Sequence, residues 1–129
     1  MSHPITMNWS NGSEDTLDYS NPFARDGTEP IPSPGVMSHG GTSSVSADQE
    51  HNLAAGPVGN YTWVNASDPT KVVACSYVHP SGKGQSSVTV SCAGYMVSSD
   101  HATWFTQHTF TDSSLQQHSA VIELYIVSN

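Results

Sequence analysis

Seven histidines and two cysteines are the residues of this sequence that could support a metal site or a nucleophile, and the histidines are residues 3, 39, 51, 79, 101, 108 and 118. No two of them are spaced i, i+2 or i, i+4, the spacings that bring two ring nitrogens to one metal ion on a strand or a helix. His108 and His118, with Asp100 or Asp112, form the remaining candidate cluster. Ordinary surface or hydrogen-bonded histidines are the favoured interpretation, and we predict no metal and no cofactor.

Cys75 and Cys92 fall inside predicted strands, on the apolar face. A thiol in such a position keeps a normal or raised pKa and behaves as a small hydrophobic side chain. If the hairpin that contains them is centred between Lys83 and Gly84, then Cys75 lies directly opposite Cys92. The Cα atoms of two directly opposed strand residues are close enough to allow a disulfide, although the pairing does not require one.

Other catalytic patterns are absent from the sequence. No Gly-x-Ser-x-Gly motif occurs, and Glu123 is the one acidic residue inside a predicted strand, so the paired carboxylates of a glycosidase are not indicated. The Gly82-Lys83-Gly84 segment joins two strands and lacks the flanking residues of a phosphate-binding loop. We therefore predict that the protein is not an enzyme.

The charge balance excludes two classes of partner. Three Lys and Arg residues stand against eleven Asp and Glu, for a net charge of −8. Arg25, Lys71 and Lys83 are too few and too scattered to neutralise nucleic-acid phosphates or to form a polybasic membrane patch. No apolar run approaches the ~18 residues of a membrane span, and no signal peptide is visible, so we expect a soluble protein without nucleic-acid or membrane partners.

The elements that must position any site lie mostly in the second half of the chain. From residue 58 onward, Val, Thr, Tyr, Trp and Ile occur in runs of strand length that are separated by turn-forming clusters. These runs predict strands at about 59–65, 71–79, 86–98, 101–111 and 119–128. The last is apolar on both faces, which predicts burial on both sides. We expect an all-β fold, a small antiparallel sandwich or open barrel over residues 58–129.

Residues 1–57 have a different composition. They hold six of the eight prolines, six of the ten glycines and seven of the eleven acidic residues, with a single basic residue. Their apolar side chains come singly among Ser, Asn, Gly and Pro, and we find no sustained periodicity. The sequence therefore predicts a long extended arm over residues 1–57 that becomes ordered only against a partner.

An acidic arm attached to a small β domain is typical of a structural assembly protein. We expect a virion component, a capsid decoration or cement protein that binds across subunits of the major capsid protein or other copies of the assembly, itself as a homo-oligomer at the particle surface. The predicted partner contacts are Ile5, Trp9, Phe23, Ile31, Leu124 and Ile126. A carbohydrate-binding or adhesin-like β module is the alternative, because Trp and Tyr on a sheet can stack on sugar rings, although aromatic residues more often form the core. A small hydrolase is the third possibility.

Overall fold

The computed structural model describes residues 2–51 and 53–129, and the regular secondary structure of this part of the chain is almost entirely β-strand. A short 3-10 helix spans Ser113–Gln116. No helix among the described residues is long and apolar enough to cross a membrane. The strands are β1 Ile5–Asn11, β2 Leu17–Asp26, β3 Ile31–Ser33, β4 Val36–Met37, β5 Thr42–Ala47, β6 Val58–Asn65, β7 Val72–Val78, β8 Ser87–Ala93, β9 Tyr95–Ser98, β10 Gln107–Phe110 and β11 Ala120–Ser128.

Two sheets pack face to face as a sandwich, which confirms the all-β expectation. The five-stranded sheet has the order β3-β5-β1-β11-β9, and the six-stranded sheet has the order β10-β8-β7-β6-β2-β4. Strands β1 and β11 pair in parallel, whereas the neighbouring strands of both sheets otherwise pair antiparallel. Aromatic side chains connect the two sheets: the Trp9 indole N–H donates to the Tyr61 hydroxyl at 2.7 Å, and the Trp63 ring lies edge-on to the Trp9 ring.

The extended arm predicted for residues 1–57 is not confirmed, because this segment supplies strands to both sheets. Strand β1 lies inside the five-stranded sheet, between β5 and β11. Its side chains alternate strictly, with Ile5, Met7 and Trp9 at most 1% exposed and polar residues between them. This period of two is the signature of a strand with one buried face, and it contradicts the absence of periodicity expected for this segment. The proposed boundary at residue 57 has no counterpart in the strand pairing.

Strand β11 is central, but only one of its faces is buried, contrary to expectation. Ala120, Ile122, Leu124 and Ile126 face the core, while Val121 is 38% exposed on the other side. The outward-facing Glu123 carboxylate accepts a hydrogen bond from the Asn8 amide at 2.8 Å. The alternate residues of β11 are apolar yet partly exposed, which is common at a protein surface.

The register predicted for the β7–β8 hairpin is wrong by two residues. Cys75 lies opposite Val90, and Cys92 lies opposite Val73. A shift of two residues keeps every side chain on its predicted face, so hydrophobic alternation cannot distinguish the two registers. The ends of the loop favour the observed register. His79 and Ser86 lie opposite each other in it, and their side chains are joined by a 2.7 Å hydrogen bond.

Two long predicted strands are interrupted by turns. Gly94 has a φ of 84° and divides the predicted strand 86–98, so that β8 belongs to one sheet and β9 to the other. The predicted strand 101–111 is reduced to β10. The Asp100 carboxylate accepts the backbone N–H groups of Ala102 at 2.8 Å and Thr103 at 3.0 Å, which forms a turn in place of strand pairing.

Candidate functional site

The structure divides the residues predicted to contact a partner into two groups. Ile5, Trp9, Leu124 and Ile126 are at most 1% exposed and belong to the core of the sandwich, so the prediction is wrong for these four. They are buried because their strands lie in the middle of the five-stranded sheet. Phe23 and Ile31 are 56% and 66% exposed. These two side chains are available to a partner.

Cys75 and Cys92 are free thiols, and the disulfide allowed by the sequence is not formed. The register shift places them diagonally, on different cross-strand pairs. Burial raises the pKa of both thiols to about 12. A thiol that stays protonated at neutral pH is a poor nucleophile and a poor metal ligand.

The candidate metal cluster of His108 and His118 is not assembled. The His108 ring stacks on Phe105 at 3.7 Å, whereas the His118 Nδ1 atom lies 3.2 Å from the Nδ1 atom of His3. Within residues 2–51 and 53–129, no group of three or more His, Cys, Asp or Glu side chains is arranged to hold a metal ion.

One edge of the sandwich exposes large apolar side chains. Strands β3 and β4 are the outermost strands of the two sheets on this side, and only two residues separate them in the chain. Ile31 on β3 and Val36 on β4 are 66% and 51% exposed. Because β4 pairs only with the first two residues of β2, the rest of β2 also borders this edge and carries Phe23, 56% exposed. We call Phe23, Ile31 and Val36 the apolar edge.

Local sequence explains why the apolar edge forms. Strand β2 has register shifts after Ser20 and after Ala24, which interrupt its pairing with β6 and bend the strand. Prolines surround β3, and proline favours the edge of a sheet because it has no N–H to donate. The Tyr19 hydroxyl donates to the Pro30 carbonyl at 2.5 Å and ties β2 to the segment that leads into β3.

A shallow groove lies on the outer face of the six-stranded sheet and has a volume of about 310 Å³. Its outward-pointing lining side chains are small and mostly polar: Asn60, Thr62, Ala74, Ser76, Thr89 and Ser91. We call these six residues the outer groove. Alanine and serine on the central strand β7 leave space between the larger side chains of β6 and β8. The volume lies at the lower end of the range for small-ligand sites, about 300–1,000 Å³.

The outer groove and the apolar edge adjoin each other. In the sheet register Phe23 lies directly opposite Asn60, and Asn60 lies opposite Ser76. The Phe23 ring therefore borders one side of the groove. The polar residues of β7 and β8 were visible in the sequence as the solvent face of the predicted hairpin. Their concave arrangement beside Phe23 depends on the pairing of β2 with β6, which no local pattern indicates.

The site has no local positive charge to attract an anion. Among the described residues that line the groove, none carries a charged side chain at neutral pH. Lys71 is paired with the Asp15 carboxylate at 3.1 Å, and Arg25 lies 3.9 Å from Asp26. The groove can therefore offer hydroxyl and amide hydrogen bonds to a neutral polar group.

The aromatic residues considered for sugar binding are mostly in the core. Trp9, Tyr61, Trp63 and Tyr95 are at most 1% exposed and cannot reach a ligand at the surface. The His101 ring lies tilted against the Tyr125 ring with centroids 3.6 Å apart, beside the Trp104 ring. His101 and Trp104 lie in the loop that connects β9 to β10, and Tyr125 lies on β11.

Comparison with known proteins finds the fold but no related sequence. No family model matches the chain, and no curated protein matches it. The crystal structure of IP-1A from Alcaligenes faecalis superposes with a TM-score of 0.66 at 10% identity, covering 98% of this chain and 91% of that one. RahU, solved in complex with a TRIS molecule, gives a TM-score of 0.63 at 14% identity, covering 98% and 96%.

A third solved structure is the lipid binding protein Nakanori. It gives a TM-score of 0.64 at 8% identity, covering 98% of this chain and 71% of that chain. Sequence identities this low carry no information about individual functional residues. The chain therefore shares with these three proteins a β-sandwich fold that extends over almost its whole length.

Proposed function

We propose that this protein is a non-catalytic binding protein whose apolar edge attaches to lipid surfaces that carry no net charge. The observation that carries the proposal is the exposure of Phe23, Ile31 and Val36 along one edge of the sandwich, beside an uncharged groove. Phe23 and Val36 face outward from the six-stranded sheet and Ile31 faces outward from the five-stranded sheet, so a flat surface meets all three by approaching the edge between the sheets. Exposed apolar side chains along such an edge mark surfaces that contact a membrane or a partner.

The apolar edge supplies part of the energy of a reversible attachment. Fully burying one large apolar side chain contributes about 1.5–3 kcal/mol, and roughly half of each of the three side chains is exposed. Their insertion is therefore worth about 3 kcal/mol in total, or roughly a hundredfold in the binding constant. The groove beside Phe23 adds hydrogen bonds to a polar headgroup.

The sequence predicted no membrane partner because it lacks a basic patch, an argument that concerns anionic membranes. The net charge of −8 therefore leaves lipid surfaces without net charge as the partner. Anionic lipids give a membrane a negative potential, which attracts basic proteins and repels acidic ones. Arg25 and Lys71 are already close to carboxylates of this chain. Neutral or zwitterionic headgroups present no such repulsion. The description of Nakanori as a lipid binding protein supports this proposal by analogy of fold.

The test measures sedimentation of the full chain with vesicles of phosphatidylcholine, with and without added phosphatidylserine. We expect binding to the phosphatidylcholine vesicles and weaker binding when phosphatidylserine is present. The Phe23→Ser, Ile31→Ser, Val36→Ser triple variant should lose about a hundredfold in affinity, because three partly exposed side chains no longer insert.

Leu53→Ser is the control for the loss of an exposed apolar side chain outside the apolar edge. Leu53 is 53% exposed, but it lies in the segment beside the β7–β8 hairpin, where the Ser81 hydroxyl donates to the Ala54 carbonyl. The control should bind vesicles as the wild type does. Failure of the wild type to sediment with either vesicle, or undiminished binding by the triple variant, would contradict the proposal.

Binding of a neutral sugar in the outer groove is a second candidate, and the groove lining favours it. Hydroxyl and amide groups next to an exposed aromatic ring are the components of many sugar sites. An Asn60→Ala variant should weaken sugar binding more than vesicle binding, because the side chains of the apolar edge are unchanged. Titration of both variants with neutral oligosaccharides distinguishes the two functions.

Attachment to a virion and homo-oligomer formation stay predictions. Their main argument was an acidic arm that needs a partner to become ordered. Residues 5–47 instead contribute β1 to β5, so the order of this segment is explained by strand pairing within the chain. Of the predicted capsid contacts, Phe23 and Ile31 are the exposed ones.

A further inference from the structure

Three histidine side chains meet at one end of the sandwich: His3 before β1, His79 after β7 and His118 before β11. We call them the histidine cluster. His3 and His79 are 7% and 2% exposed, and their rings stack in parallel with centroids 3.9 Å apart. The His118 ring meets the His3 ring edge-on at 4.7 Å. The topology brings together residues that are far apart in sequence.

The hydrogen bonds assign a proton to each ring. His3 Nε2 lies 2.9 Å from the Pro80 carbonyl, which can only accept, so the neutral His3 ring carries its proton on Nε2. Its Nδ1 atom then accepts from His118 Nδ1 at 3.2 Å. His79 Nε2 donates to the His118 carbonyl at 2.9 Å, and its Nδ1 accepts from the Ser86 hydroxyl. All three rings are satisfied when all three are neutral.

Additional protons disrupt this arrangement. If His3 and His118 are both protonated, two N–H groups face each other across 3.2 Å with no acceptor between them. A proton on His79 places a charge in a buried site, stacked 3.9 Å from the His3 ring. Free histidines have a pKa near 6.5, so at about pH 5 an exposed set of three would be almost fully charged.

Nearby charged groups only partly offset the cost of protonating the histidine cluster. The Asp48 carboxylate accepts the His3 backbone N–H at 2.6 Å and favours positive charge in the cluster. Burial acts in the opposite direction and, with the neighbouring His3 and His118, holds the pKa of His79 below its usual value. A histidine whose pKa is lower in the folded state stabilises that state above about pH 6.5 and loses this contribution as the pH falls. Lys83 is the one further charged residue of the β7–β8 loop.

The histidine cluster joins two loops to the chain terminus. His3 anchors the residues before β1 to the β7–β8 loop through Pro80, and His79 anchors the same loop to the segment before β11. The loop also packs against Gly56, where a Cβ atom would collide with the His79 carbonyl. A cavity of about 140 Å³ beside the cluster, lined by His3, Ser86 and His118 among others, gives water access to the rings.

We propose that His3, His79 and His118 form an acid-sensitive lock, which holds residues 2–4 and the loop 79–86 in place at neutral pH and releases them in mildly acidic conditions. The release is local, because the strands of the sandwich core do not depend on these side chains. The proposal concerns one end of the fold and stands independently of lipid binding.

Amide hydrogen exchange of the full chain, corrected for the intrinsic pH dependence of exchange, tests the lock. Between about pH 7.5 and about pH 5, we expect protection of the hydrogen-bonded amides of His3, His79 and Ser86 to fall about tenfold or more, since a one-unit difference in pKa changes an opening constant tenfold. Protection of β6 and β7 should change little. In the same pH range, NMR titration should show an apparent pKa of His79 below the usual value of a histidine.

A variant with His3→Gln, His79→Gln and His118→Gln removes the titrating groups, and its loop should show no acid-induced opening. His51→Gln is the matched control and should respond to acid as the wild type does. If the triple variant fails to fold, the single variant His118→Gln replaces it, because His118 is the exposed member of the cluster. This single variant should show a smaller acid-induced loss of loop protection than the wild type. Loop protection in the wild type that does not depend on pH, or an unchanged acid response in the glutamine variants, would overturn the proposal.

Discussion

A chain that begins at residue 58 is expected to be unfolded. Such a truncation removes β1 to β5. The five-stranded sheet then keeps only β11 and β9, because β3, β5 and β1 are lost. It exposes the inner face of β11, where Ile122 and Leu124 are at most 2% exposed in the intact fold. A typical domain is stable by only about 5–15 kcal/mol. The loss of most of one sheet of a sandwich removes a larger free energy of apolar burial than this. We expect little dispersion in the amide NMR spectrum of the fragment.

A cleaved chain provides the control for this truncation. A protease site inserted at the exposed Glu50 should allow cutting of the folded protein without separation of the two pieces, because β1 pairs with β11 and β2 pairs with β6 across the cut. The two fragments should elute together in size-exclusion chromatography. A well-dispersed spectrum from residues 58–129 alone would show instead that the first half is a dispensable arm.

The sequence predicted three strands of the second half closely, and the reason is local. Strands β6, β7 and β11 lie within one residue of the predicted ranges, because Val, Thr, Tyr and Ile in runs of strand length end at turn-forming residues. The register of the β7–β8 hairpin was harder to predict from the sequence, because a slip of two residues leaves every side chain on the same face of the sheet. The His79–Ser86 hydrogen bond that fixes the register involves side chains and has no hydrophobic pattern.

The first half was misjudged because its strands depend on distant partners. Strand β1 is parallel to β11, with Ile5 beside Ala120, and sequence patterns do not reveal a pairing over such a separation. Strand β2 is bent by register shifts that break its alternation, and β3 and β4 have only three and two residues. Proline and glycine in this half indicate edges and turns of a sheet here, although the same composition is typical of disorder.

The candidate site was only partly predictable for the same reason. Phe23 and Ile31 were named as partner contacts, and both are exposed. Val36 lies near them only because β3 and β4, the edge strands of the two different sheets, are on the same side of the sandwich. The histidine cluster combines residues 3, 79 and 118, whose spacing in the sequence matches no metal or catalytic motif. Contacts of this kind follow from topology and require the fold to be known.

The sharpest single-residue test of the fold compares two positions on β11. Leu124 is fully buried and lies beside Trp9 in the sheet, whereas Val121 is 38% exposed on the opposite face. Leu124→Asp places an unpaired carboxylate in the core, at a cost of about 4–5 kcal/mol or more, which is comparable to the whole stability of a small domain. Val121→Asp is expected to cost about 1 kcal/mol or less, because the new carboxylate remains in water near Glu123.

Circular dichroism during thermal unfolding measures both changes. We expect the Leu124→Asp protein to be unfolded or insoluble at room temperature, and the Val121→Asp protein to melt within several degrees of the wild type, given that 1 kcal/mol shifts the melting temperature of a domain this size by about 4 °C. Strong destabilisation by Val121→Asp would mean that the outer face of β11 is covered, as in a tight homo-oligomer. A folded Leu124→Asp protein would contradict the placement of β11 in the core, since an unpaired buried carboxylate is too costly for a small domain.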